Sequence, residues 1–409
     1  MSTHPGLDGE PIYLDYNATT PIDPAVVTAM RPYLATGFGN PSSAHRYATA
    51  PAAALATART QVAALIGADP TGIVFTGSGS EADNLAIRGT VLAAPDHRRH
   101  VITQATEHPA VLATCQALHR LHGIKVTVLP VDAHGLVDPA DLHAAITPRT
   151  ALVSIMLANN ETGTIQPIAE LAAIAHTHGA VIHTDAAQAA GKIPIDVDAL
   201  GVDLVTLVGH KMYAPKGIAA LYRRPGLTLE PIIYGGGQEH GLRAGTENVP
   251  YAVALGTAAN LSRANLDSEL SRLTELRDRL HQALNTALPD RIHLHGHADQ
   301  RLPNTLNISI TGVPGTELLA AVPQLAASTG SACHSGITEP SPVLTAMSLD
   351  RDRALGAIRL SLGRWTTTAD VDQAANLLAT AARRRHSDAE RERLCAAVES
   401  AGEDSDLRG

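Results

Sequence analysis

Cysteine is scarce in this 409-residue chain: Cys115, Cys333 and Cys395 are the only three. The number is odd and no two form a C-x-x-C pair, which argues against a disulfide framework and a cysteine-type zinc site. An H-E-x-x-H pair is also missing, which disfavours a zinc hydrolase. No uninterrupted apolar stretch approaches the ~18 residues of a membrane span. Residues 1–11 hold no apolar run of the signal-peptide kind. No long basic run is present to track a phosphate backbone, and the net charge is -9. The expectation is a cytoplasmic protein with no membrane partner, no nucleic-acid partner and no resident metal.

What is present fits a globular enzyme-sized chain. Hydrophobic residues make up 44% and charged residues 17%, the mix of a soluble fold. The length allows two domains and a large core. Short apolar runs read as strands: Ile73 to Phe75, Val101 to Thr103, Lys125 to Leu129, Leu152 to Ala158, Ala180 to Thr184, Leu204 to Val208 and Ile218 to Tyr222. Several are apolar throughout, as strands covered on both faces are. Helical patterns stand between them at Glu81 to Arg88, Ala110 to His122 and Ile168 to His178, the last followed by Gly179 as a stop. This alternation predicts an α/β domain with a mostly parallel sheet.

Beyond about Pro250 the texture changes. Tyr251 to Leu288 reads as one long helix, followed by strands at Leu306 to Ile310 and Ala357 to Leu362 and a helix near Ala369 to Arg384. The predicted organisation is a segment 1–22 joining the smaller domain, a large domain 23–258, a smaller α+β domain 259–385 and a charged tail 386–409.

Four constellations carry chemistry. Thr76 to Asn84, with Gly77, Gly79 and Ser80, follows a strand and opens a helix, so its amides suit a phosphate; the plainer reading is an ordinary turn. It is neither the spaced dinucleotide fingerprint, since Ala82 replaces the third glycine, nor a P-loop, since no lysine follows. A nicotinamide dehydrogenase is thereby disfavoured. Asp185, in His183 to Gln188, stands where an apolar strand runs out, as a ring-nitrogen partner or as a helix N-cap. Lys211, in Gly209 to Gly217, follows the next strand and suits a Schiff base if buried; Lys216 beside it reads as surface. Cys333 lies in Ser328 to Gly336, where seven of nine residues are Gly, Ala, Ser or Thr. Such a run packs little, so the thiol reads as an exposed nucleophile with His334 beside it. Cys115, inside an apolar pattern, reads as a core thiol. Phosphate cradle, ring-nitrogen acid, lysine and thiol together fit an aldehyde-phosphate cofactor acting on an amino acid.

From about Tyr13 to Arg384 the chain resembles the cysteine desulfurase and selenocysteine lyase branch of the class V, fold-type-I aminotransferase-like enzymes. The resemblance rests on Tyr13 to Pro21, Gly39 to Ser43, Gly77 to Asn84, Thr106 to His108, Asn159 to Glu161, His183 to Gln188, Gly209 to Gly217, Arg243 to Thr246, Gly330 to Ser335 and Arg359 to Ser361, in that order. It implies a seven-stranded, mostly parallel sheet and the cofactor pyridoxal 5'-phosphate on Lys211. It implies Asp185 at the pyridine nitrogen, Gln188 and Asn160 near the ring hydroxyl, and His108 stacked on the ring. Gly79, Ser80 and His210 would hold the phosphate, joined by Thr246 from the other subunit of a homodimer. Arg359 would clamp the substrate carboxylate, with Asn160 nearby, and Cys333 would attack the sulfur of L-cysteine and pass a persulfide to an acceptor protein. That transfer would feed iron–sulfur cluster assembly or thiolated products.

Two departures stand out. Val208 occupies a position where many such enzymes place a phosphate-binding serine, so another donor is expected to compensate. His334 follows the cysteine where many have threonine. Both look more like selenocysteine lyases, while the long loop Gly336 to Pro342 favours a desulfurase. Selenocysteine lyase is therefore the alternative enzyme. A non-catalytic sulfur-carrier scaffold is the alternative of another class, and the presence of Lys211 and Asp185 argues against it.

Overall fold

The apolar runs become the centre of a computed structural model that describes residues 4–329, 332–334 and 337–385, without the side chains of 332–334 and 337–338. The strands are β1 (Ile12–Tyr13), β2 (Ile73–Thr76), β3 (His100–Gln104), β4 (Lys125–Leu129), β5 (Thr150–Ser154), β6 (Val181–Asp185) and β7 (Leu204–Val208). They continue with β8 (Ala219–Arg223), β9 (Ile292–Leu294), β10 (Thr305–Ile310), β11 (Leu325–Ala326), β12 (Ala332–His334), β13 (Ile337–Glu339) and β14 (Ala357–Ser361). The helices are α1 (Pro24–Ala35), α2 (Arg46–Leu65), α3 (Gly79–Ala93), α4 (Pro109–His122), α5 (Pro139–Ala145) and α6 (Ile168–Thr177). They continue with α7 (Val249–Ala264), α8 (Leu266–Ala287), α9 (Gly315–Ala320), α10 (Pro342–Ala346), α11 (Arg351–Leu355) and α12, which runs from 368 through 385.

The predicted seven-stranded sheet is present, in the order β2-β8-β7-β6-β5-β3-β4. Only β8 runs antiparallel to its neighbours. Strand periodicity explains why these runs lack polar alternation. Along the inner strands, successive side chains enter cores on opposite faces. Val74, Val101, Leu152 and Leu204 pack towards α3 and α4, with Leu85, Ile87, Val111 and Leu118. Phe75, Ile102, Val153 and Val205 pack on the other face with Leu55 and Val62 of α2, Leu171 of α6 and Leu255 of α7. Cys115 is buried in the α4 face, as its apolar context predicts.

A second sheet, β14-β10-β9, is antiparallel. It is covered by Leu273, Leu276, Leu280 and Leu284 of α8, spaced to form one helix face, and by Val371 and Leu378 of α12. The start of the chain joins this part. β1 pairs parallel with β11, and Asp15 bridges to Ser361.

Two predicted elements are corrected. The single helix expected over Tyr251 to Leu288 is two helices broken at Asn265, whose φ is -111° and ψ 7°. Its Nδ2 donates to the Leu261 carbonyl at 2.8 Å. A short amide side chain that competes for backbone groups ends a helix in this way. The break also lets α7 pack on α2 while α8 serves the second sheet. The strand expected over Leu152 to Ala158 ends at Ser154. The next residues stay buried and still bond to β6, Ile155 N to His183 O and Leu157 N to Asp185 O, but they bend over the sheet's carboxyl edge.

Candidate active site

The parallel strands all release the chain at one edge, and the polar residues that follow them meet there. They line a cavity of about 430 Å³. Gly79 and Ser80 follow β2, His108 follows β3, and Asn160 follows β5. Asp185 ends β6 with Gln188 just beyond, and His210 and Lys211 follow β7. Arg359 reaches the same cavity from β14 of the second sheet.

At one end of the cavity stands the amino terminus of α3. Ser78 caps it, its hydroxyl accepting the Glu81 amide at 3.1 Å. Glu81 in turn accepts the Gly77 amide at 2.8 Å and is held by Arg243. These bonds fix the turn and leave the first helical amides, at Gly79 and Ser80, on the cavity side. A Cβ at Gly79 would lie 2.6 Å from Val208 Cγ2, so glycine is required against this valine. Val208 lines the cavity and offers no donor. His210 lines it too, with Nδ1 at 3.1 Å from Thr19 Oγ1.

At the floor, Asp185 Oδ1 accepts the Ala187 amide at 2.8 Å, and a turn follows rather than a helix. The N-cap alternative therefore does not hold. Burial raises the Asp185 carboxyl above its usual range, against the pull of His108 and Lys211. A cation placed opposite it would reverse that balance. His108 caps α4 through Nδ1, which accepts the Ala110 amide at 3.1 Å. A neutral ring so held carries its proton on Nε2. Burial holds its pKa below the ordinary value.

Lys211 Nζ donates to the carbonyls of Asn17 at 2.6 Å and Ala18 at 2.9 Å. Burial first, then the Arg359 charge, bring its pKa down to about 8. Arg359 donates to the Asn160 carbonyl at 2.9 Å and to Asp15 at 2.7 Å. Asn160 itself is set by its neighbour. Asn159 Oδ1 accepts the amides of Glu161 and Thr162, both at 2.9 Å, and Nδ2 donates to Thr106 O.

Thr246 is exposed and lines an adjoining cavity, which shares Gly217 and Ile218 with the first. Cys333 lies on the hairpin β12–β13, paired with Thr338, and its side chain falls outside the described residues. Gly330, Ser331, Ser335, Gly336 and the tail 386–409 also lie outside them. Lys216 is exposed as predicted, yet it stands on the cavity rim.

Residue-level reading missed Asn17 and Asp83. Asn17 lies within a recognised run, but its contacts come from distant parts of the chain: Gln188, Lys211, Thr305 and Asn304. Asp83 is a buried acid inside α3 that faces the cavity, and burial and Asp185 raise its pKa well above normal. An apolar period broken by Asp was the only available signal.

Among the described residues no cluster of potential metal ligands occurs, and no helix is long and apolar enough to cross a membrane. Comparison with known proteins agrees with this geometry. A cysteine desulfurase of Trichormus azollae is 50% identical over 364 residues, covering 88% of this chain and 90% of that protein. A solved NifS-like protein superimposes with a TM-score of 0.84 at 34% identity, over 90% of this chain and 98% of that one. A structure described as SspA in complex with cysteine has a TM-score of 0.77 at 37% identity, over 87% and 99% of the two chains. The family model described as Aminotransferase class-V matches residues 12–374. The chain belongs to the aminotransferase class-V family, in the company of its cysteine desulfurases.

Proposed function

We propose that this protein is a pyridoxal-phosphate-dependent L-cysteine desulfurase that yields L-alanine and a persulfide on Cys333. One observation carries the reading: Lys211, Asp185, the amino end of α3 and Arg359 converge on a single cavity. That donor set fits the cofactor. A depressed lysine suits an aldehyde, a buried carboxylate suits a pyridinium, and helix amides suit a phosphate. The tight Gly79–Val208 contact keeps the cradle narrow, so backbone amides rather than side chains come close.

When bound, pyridoxal phosphate supplies an electron sink for the substrate's α-carbon. The chain supplies the rest. Gly79 and Ser80 amides and His210 hold the phosphate, with Lys216 on the rim as the added cation that Val208 calls for. Asp185 keeps the ring nitrogen protonated through a charge-assisted bond. Asn160 and Gln188 meet the ring hydroxyl. His108 would stack on the ring, with its Nε2–H available for proton transfer. Lys211 Nζ would hold the aldehyde and, once released, would take and return the α-proton. Arg359 has five donors, two of them used among the described residues, so its fork has capacity for the substrate carboxylate.

Cys333 thiolate attacks the substrate sulfur. An S–S bond forms, the C–S bond breaks, and its electron pair stays with carbon, which is protonated to alanine. The persulfide then passes to a sulfur-acceptor protein. Thr246 is exposed and lines an adjoining cavity rather than the one that holds Lys211, which suits a homodimer in which it reaches the partner's phosphate.

The test is alanine release from L-cysteine and from L-selenocysteine, with reductant, for wild type, Cys333→Ala and Lys211→Ala. Turnover of cysteine that both substitutions abolish supports the proposal. Turnover of selenocysteine alone would replace it with a lyase. A colourless protein inactive on both would overturn it.

A further inference from the structure

Lys192 is a buried cation to which the described residues supply no counter-charge. It stands in the turn after β6, and 9% of it is exposed. Gly191 before it has φ +73°, and a Cβ there would lie 2.9 Å from Ser262 Cβ of α7, so the turn that carries the lysine needs glycine. Its Nζ donates to Gln188 Oε1 at 2.9 Å. Among the described residues no carboxylate pairs with it. Burial, together with the charges of Lys211 and Arg359, pulls its ammonium down to about 7. A buried ammonium in such company is unfavourable unless an anion completes the set.

Lys192 also fixes the amide of Gln188. A lysine only donates, so the atom it meets is Oε1. The Asn17 carbonyl only accepts, so the atom that meets it, at 2.9 Å, is Nε2. Gln188 lines the cavity, and its amide is polarised by the cation behind it.

We propose that Lys192 is a positioning and charge-balancing residue, which through Gln188 stabilises the negative charge that the cavity's occupant brings beside that amide. This rests on the reading of the cavity as a pyridoxal phosphate site. The anion in question is the ring oxygen. Lys192 touches neither cofactor nor substrate; it acts through Gln188.

The experiment compares wild type, Lys192→Met and Lys192→Arg, each stripped of cofactor and then reloaded with pyridoxal phosphate. Melting temperature, cofactor affinity and the pH midpoint of the bound cofactor's visible band are measured. Stripped Lys192→Met should melt at or above wild type, because an unbalanced buried charge has gone. Its gain on reloading should shrink, and its cofactor Kd should rise roughly tenfold. The band's midpoint should move up by roughly one unit, since a nearby positive charge no longer opposes protonation. Lys192→Arg, which keeps the charge, should hold the wild-type midpoint.

A stripped Lys192→Met that melts lower, with gain, affinity and midpoint unchanged, would overturn the proposal and leave the lysine as packing. If the methionine variant does not fold, Lys192→Gln carries the same comparison. Failure of wild type itself to bind pyridoxal phosphate would bring down the parent reading, a distinct result.

Discussion

Lys211 must be neutral to attack an aldehyde, and the protein lowers its pKa to about 8 by burial and by Arg359. Capture of pyridoxal phosphate by the stripped protein should therefore accelerate as pH rises through about 8 and then level off. Stopped-flow absorbance would show this; a rate still climbing towards the ordinary lysine value would contradict it. Gly79 makes a second prediction at this scale. In Gly79→Ala the new Cβ meets Val208 Cγ2, so stability should fall by ~1–3 kcal/mol and cofactor affinity with it. Val208→Ala in the same chain should recover much of both, a coupling that a double-mutant cycle measures. Lys211 and Asp185 were legible because each ends an apolar strand, where sheet topology puts ligands. The Gly79–Val208 contact and the Asn17 carbonyl were not, because each joins segments that no local pattern connects.

Elements were read better than their ends. The inner strands of the main sheet stood out because burial on both faces makes them largely apolar, whereas the edge strand β4 is partly exposed. The break at Asn265 was hidden because the apolar spacing continues across it; only the amide's bond to Leu261 O marks it. The mount of the β12–β13 hairpin was equally silent. Ser341 caps α10, accepting the Val343 and Leu344 amides, and its hydroxyl donates to Glu161 Oε2 at 2.6 Å. Burial raises the Glu161 pKa, so that donor matters. Ser341→Ala removes a cap and a buried partner at once, and should cost ~1–3 kcal/mol. Amide exchange over 337–349 should quicken while the bound cofactor's spectrum stays unchanged. A shift in that spectrum would mean the bond reaches further than a mount.

Across the whole molecule, buried neutral histidines set the acid limit. His183 is fully enclosed, bonded to Ser154 at 2.9 Å and Thr206 at 3.1 Å, and burial lowers its pKa to about 3. In the unfolded chain it titrates near ~6.5. The unfolded state thus binds the proton first, so this contribution is complete above that value and is lost as pH falls towards 3. His183→Gln should take up about one proton fewer on acid unfolding, read from urea midpoints at two pH values. His295, lowered to about 3 mainly by burial, leaves the variant some acid sensitivity. The assembly of the pocket has another consequence. The Asn17 carbonyl receives Lys211 and Gln188, while Asp15 beside it holds Arg359, 344 residues away in sequence. A ribosome delivers Asp15 and Asn17 first, then Gln188 and Lys211, and Arg359 only well after them. A nascent chain long enough to close the seven-stranded sheet still lacks the wall that β14 brings, so on the proposed function cofactor loading should wait until Arg359 has emerged.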